Sequence, residues 1–277
     1  VDCLPQTALH PLRTDVRSYN KYDVRLFIFC ICLKNSFFET IKIINSKPFN
    51  FSAHYARFSF ACSVLKFKNH ETESSLLAII SELIKQNKLI NGSVKILINR
   101  SEGGKYLPDF TTYEIIISSI KSVGFTQNVP TSLCVFSDEV KTKGKLANIK
   151  SVNALVSVIG AIYANELGFE NAILKNIDSN CIETTNSNIF VVKAGVIYSP
   201  PLSDGCVDGT MRNWVLKQDN VIKKSLTVND IKSADQVFVT NAITGITAVN
   251  RVEEISFSDS TYASELQNKL ISLSSDL

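Results

Sequence analysis

Two side chains open a chemical reading of this chain: Lys150, in Asn148-Ile149-Lys150-Ser151-Val152-Asn153, and Glu183, in Ile182-Glu183-Thr184-Thr185-Asn186-Ser187-Asn188-Ile189-Phe190. A lysine just ahead of a helix can hold an aldehyde as a Schiff base, and burial makes such a lysine a good nucleophile and proton carrier. An acid at a strand end can keep a pyridine nitrogen protonated, so that the ring draws off electrons. Together they are what a pyridoxal phosphate enzyme needs. Gly209-Thr210-Met211-Arg212 opens a helix, where free backbone N–H groups bind anions. Thr210 and Met211 would offer such groups to a phosphate, and Asn241 and Ala242, in the turn after a strand, would offer a second set.

These segments resemble the class IV aminotransferase family, the fold-type-IV pyridoxal phosphate enzymes. Lys-Ser-Val-Asn matches the family's Lys-x-x-Asn, and Glu183 to Ile189 matches its Glu-x-x-x-Ser-Asn-hydrophobic signature. His54-Tyr55-Ala56-Arg57 matches its His-x-x-Arg, whose arginine clamps the phosphate, a contact that suits a guanidinium. The resemblance implies Lys150 as the catalytic residue. It implies Arg57, Lys150, Glu183, Asn188, Thr210, Met211, Asn241 and Ala242 as cofactor-binding, with Asn188 bracing its loop. It covers roughly residues 36 to 273. Residues 1–34 lack the family's Asp-Arg-Gly-…-Tyr-Gly-Asp-Gly run, and Ala154 stands where a larger Tyr or Arg is common.

Substrate-side residues separate the branches. The D-amino-acid transaminases carry an Arg-x-His trap where this chain reads Lys105-Tyr106-Leu107. The branched-chain enzymes carry an arginine where Lys95 sits and a Gly-Thr pair near Asn241-Ala242. Neither is present. Met211-Arg212, the Asn-Ala turn, and Val94 to Arg100 followed by Gly103-Gly104 look more like the aminodeoxychorismate lyases. The resemblance therefore implies a lyase that releases pyruvate to form 4-aminobenzoate, a folate precursor. A class IV transaminase is the alternative, and a catalytically inactive protein of the same fold a further one. Lys95, Arg100 and Lys105 are candidates for the substrate carboxylates, so the partner is a small anionic amine. A homodimer is implied by resemblance only.

The bulk properties agree with this class. The chain has 277 residues, 45% hydrophobic and 20% charged, as in an ordinary globular protein. A net charge of +3 is too small for a nucleic-acid binder, which needs a clustered basic face. The cysteine count of 7 is odd and no CxxC occurs. With 3 histidines, none spaced as ligands, no metal is expected, and reduced cytoplasmic thiols are the plainer reading. The longest apolar run, Leu26 to Leu33, is too short for a membrane helix of ~20 residues and reads as a buried strand.

The elements that must position these residues read as mixed α/β (α+β). Residues 37–44 read as a strand and 45–48 as a turn. A helix follows with Ser52 as N-cap, then an amphipathic helix over 76–88 and a strand over 94–98. Residues 113–118 read as a strand or the start of a linker. That divides the chain into a small N-terminal α/β sandwich domain, residues 1–112 with 1–34 atypical, and a larger C-terminal domain, 113–277. By resemblance the larger domain carries a barrel-like sheet. Within it, helices fit 152–167, 209–218 and 260–273, and strands fit 172–174, 189–192, 196–198 and 234–240.

Overall fold

Apolar alternation builds the first sheet. The computed structural model describes residues 35–68, 70–101 and 106–275. The apolar run at 26–33 and Lys105 lie outside them. Strand β1, Ser36–Ile44, turns Phe37, Ile41 and Ile43 to one side, each at most 1% exposed. Its hairpin turns on Asn45 and Ser46, both left-handed at φ 48 and 63, into β2, Lys47–Pro48. Helices α1, Phe51–Val64, and α2, Glu73–Gln86, cover the apolar face. Strands β3, Gly92–Arg100, and β4, Tyr113–Lys121, complete an antiparallel sheet of order β2-β1-β3-β4.

The second sheet is built from β5, Thr131–Val135, β6, Asn171–Lys175, β7, Cys181–Thr184, and β8, Asn188–Lys193. It continues with β9, Val196–Ser199, β10, Val221–Lys223, β11, Gln236–Asn241, β12, Gly245–Val252, and β13, Ile255–Ser256. The order is β10-β9-β8-β11-β12-β5-β6-β7, and β7 also pairs with β8. That extra pairing closes β8, β11, β12, β5, β6 and β7 into a ring, the expected barrel-like sheet. One cluster, including Leu133, Ile173, Ile189 and Val249, draws on all six of these strands. Phe190 and Phe238 stack at 4.8 Å on neighbouring strands and pack toward α4, Thr210–Gln218, and α6, Thr261–Ser275. Helices α3, Leu155–Glu166, and α5, Val228–Lys232, complete the mixed α/β fold.

The two sheets meet at Lys150. Residues 150–152 run antiparallel to β1: Phe38 N donates to Lys150 O at 3.0 Å, and Val152 N to Ser36 O at 3.1 Å. This pairing holds the chain extended, so α3 starts at Leu155 and not at Val152 as the apolar pattern suggests.

Candidate active site

Lys150 reaches its position from that extended segment, and its Nζ lies 4.8 Å from the ring centre of Phe38. Burial holds its amine below the usual range, and the charge of Arg57 adds to this, while Glu39 and Glu183 oppose it. More of the amine is therefore neutral near pH 7, the form that attacks a carbonyl or accepts a proton.

Glu183 lies in β7, 5% exposed. Its Oε1 accepts from the ammonium of Lys141, and its Oε2 accepts from Val207 N at 2.8 Å. Asn188 pairs with Glu183 across the β7–β8 seam. Its Nδ2 donates to Val207 O at 2.9 Å, and its Oδ1 lies against Gly209. A Cβ at Gly209 would sit 1.8 Å from that oxygen, so close approach dictates glycine here.

Gly209 caps α4, and the first amides of the helix have no intrahelical acceptor. Thr210 and Met211 lie in this first turn, both buried. Asn241, at the end of β11, folds the next turn around itself: its Oδ1 accepts from Ile243 N and Thr244 N, each at 2.9 Å, and its Nδ2 donates to Ser187 Oγ at 3.0 Å. Ala242 lies in this braced turn. The contacts Asn241 to Ser187, Ser187 to Asn188 by sequence, and Asn188 to Gly209 bring the turn after β11 and the start of α4 together.

Arg57 faces the same helix start from α1. Its Nε and Nη2 donate to both carboxylate oxygens of Glu39, at 2.7 and 2.6 Å, and Nη1 donates to Asp208 O at 3.0 Å. Of the five guanidinium N–H groups, two remain for a ligand. His54 Nδ1 lies 2.7 Å from Glu39 Oε2, and its Nε2 lies 3.3 Å from Thr210 Oγ1. Burial pushes the Glu39 carboxyl up, but the Arg57 charge, with hydrogen bonds from Arg57 and His54, outweighs it and holds the group at about 2. Burial pushes the His54 imidazole down, against the opposing pull of Glu39.

Lys150, Glu183, Asn188, Thr210, Met211, Asn241, Ala242 and Arg57 are thus gathered around one junction. Lys95, exposed on β3, joins its edge with Nζ 4.7 Å from the Phe38 ring centre. Arg100 lies apart. It sits on the helix-covered face of β3, donating to Leu65 O and, at 3.3 Å, to Phe110 O. Among the described residues, no group of three metal-ligating side chains occurs.

Sequence reasoning passed over Glu39 and Lys141. Glu39 left a signal, an acid at the period-two position shared by Phe37, Ile41 and Ile43. Lys141 left none, since it opens a basic run with Lys143 and Lys145 that reads as solvated surface.

The family model for amino-transferase class IV matches residues 36–252, and the chain belongs to that family of pyridoxal phosphate-dependent enzymes. It is similar to D-alanine aminotransferase from Staphylococcus epidermidis, 22% identical over 84% of this chain and 83% of that one. It is also similar to aminodeoxychorismate lyase from Bacillus subtilis, 24% identical over 79% of this chain and 78% of that one. The crystal structure of Escherichia coli branched-chain amino acid aminotransferase matches with a TM-score of 0.78 and 21% identity, over 86% of this chain and 85% of that one.

The donor set fits the cofactor. A lysine of lowered basicity is present for its aldehyde. Glu183 has lone pairs left for a ring nitrogen. A glycine-capped helix start and two guanidinium N–H groups are available for its phosphate.

Proposed function

We propose that the protein is a pyridoxal phosphate-dependent 4-amino-4-deoxychorismate lyase, releasing pyruvate to form 4-aminobenzoate for folate synthesis. The observation that carries this reading is the cationic edge beside Lys150. Lys95 and Lys150 share the Phe38 ring, at 4.7 and 4.8 Å from its centre. That sets a second ammonium where a ring carboxylate of the substrate can rest while its amine meets Lys150. Met211 and Ala242 also leave two cup positions without the hydroxyls common in the transaminases.

When bound, the cofactor supplies an electron sink conjugated to the amine-bearing carbon of the substrate. Lys150 holds the aldehyde at rest. Once displaced by the substrate amine, it takes the proton from that carbon with its neutral amine. Glu183 keeps a proton on the ring nitrogen. Arg57, with the amides of Thr210 and Met211 and the turn at Asn241 and Ala242, binds the phosphate and fixes the ring against Lys150. Asn188 braces the loop between Glu183 and α4. Cleavage of the neighbouring C–O bond would release the side chain as enolpyruvate, which takes up a proton to become pyruvate, and leave the aromatic amine.

The active form is a homodimer in this reading. Helix α3 presents Leu155, Val158, Ile159 and Ile162 outward, 72%, 52%, 47% and 49% exposed, a spacing that makes one apolar stripe. A second copy of the chain is its occupant, which removes that surface from water.

A paired assay tests the function. Incubation with aminodeoxychorismate yields 4-aminobenzoate and pyruvate, while amino transfer from glutamate or a branched-chain amino acid is absent. Transfer without lyase products would replace this reading by the transaminase. Protein that shows no borohydride-reducible adduct on Lys150 would be an inactive member of the fold.

A further inference from the structure

Lys141 is held in place before it reaches Glu183. Its backbone N donates to Lys175 O at 2.9 Å, and it bridges Asn176 at the end of β6. From that anchor its ammonium meets Glu183 Oε1, the two side chains being 18% and 6% exposed. The other ion pairs nearby are of a different kind. Lys143 with Asp178 is 36% and 50% exposed, and such solvated pairs contribute little.

We propose that Lys141 is a positioning residue that sets, through Glu183, how tightly a proton is held on the ring nitrogen of the cofactor. The inference rests on Glu183 being the partner of that nitrogen. With Val207 N on one carboxylate oxygen and Lys141 on the other, the acid is fixed in one orientation. A carboxylate has about four lone-pair positions, so room remains for a ring N–H. The ammonium offsets part of the carboxylate charge, and the ring nitrogen faces a partly neutralised acid. Its proton is then less firmly held than against a bare carboxylate, which moderates the electron sink. The charged groups around this pair are Lys150 from the segment along β1, Arg212 from α4 and Asp208 ahead of α4. The buried Cys206 thiol lies within the field of both Lys141 and Glu183.

The test is a pH titration of full-length holoprotein carrying cofactor labelled with nitrogen-15 at the ring nitrogen, read by the NMR shift of that nitrogen. Lys141→Gln removes the offsetting charge, and the spectral midpoint rises by about one pH unit, a tenfold change in proton affinity. Lys141→Arg retains the charge and returns the midpoint toward wild type. In a Glu183→Gln background the larger part of the Lys141→Gln shift disappears, because the two act as one unit. An unchanged midpoint in Lys141→Gln overturns the proposal. So does a shift of equal size without Glu183, which would place the effect directly on Lys150. A Lys141→Gln protein that takes up no cofactor also overturns it, since the lysine would then only hold the site together. Failure of the underlying reading looks different: wild-type protein would be colourless, with no borohydride label on Lys150.

Discussion

Replacing Glu39 by glutamine takes the negative charge out of a buried cluster built around a cation. Glu39 is 1% exposed and receives both N–H groups of the Arg57 fork, at 2.7 and 2.6 Å. Its carboxyl is held at about 2, against an ordinary 4.5. That gap, at about 1.4 kcal/mol per pH unit, corresponds to about 3 kcal/mol. Because the folded value is depressed, the contribution is complete above pH 4.5 and is lost as pH falls toward 2. At pH 7 the variant also leaves Arg57 as a buried cation without its acid, which costs about 3–5 kcal/mol. For a chain of this size the melting temperature falls by roughly 10 °C. Thermal unfolding followed by circular dichroism, stepped from pH 7 to 3, reads both effects. The wild type starts higher and falls steeply below pH 5, while Glu39→Gln starts lower and falls less. Carboxylates elsewhere, Asp230 among them, are common to both proteins and cancel. Parallel curves for the two proteins would refute the reasoning.

Gly209→Ala forces a Cβ onto Asn188 Oδ1, so Asn188 must turn away and give up Val207 O. The expected cost is about 1–3 kcal/mol in urea denaturation, with weaker uptake of pyridoxal phosphate in an absorbance titration. Ile159→Glu places a charge in the outward stripe of α3, and light scattering after gel filtration is expected to report monomer in place of dimer. The same variant should fold normally by circular dichroism, since that side chain is 47% exposed.

Local signals read well in this chain, and long-range ones did not. The hairpin across Lys193-Ala194-Gly195 was legible because Ala194 and Gly195 adopt the left-handed turn that such sequences favour. Gly209 before a helix ending near Gln218 was legible for the same kind of reason. The helix expected from Ser52 begins instead at Phe51 after Asn50, whose φ is 52. Ser52 Oγ donates to Glu73 on the next helix at 2.6 Å, a tertiary contact that local capping rules do not anticipate. Strand periodicity marks which residues share a face but not which strand lies alongside, so the parallel seam of β12 with β5 was invisible. Arg100 shows the same limit. Its spacing from Lys95 already sets it on the opposite face of β3, but only the pairing of β3 with β1 shows which face holds Lys150. Lys141 was hidden because a basic run looks alike whether one of its members turns inward or none does.

One seam of the barrel is a single registered pair, Glu183 with Asn188. Across the ring from it, β12 pairs with β5 and joins Val249 to Thr131, positions far apart along the chain. Contacts of such separation form slowly, because chain entropy must be spent before they return any energy. The ring therefore shuts late in folding at the β12–β5 seam, and the pairing of Lys150 with β1 forms late too, whereas Glu183 and Asn188 are close along the chain and pair locally. Competence to bind the cofactor should then arise with the final cooperative step, leaving no long-lived partly folded chain that can capture it.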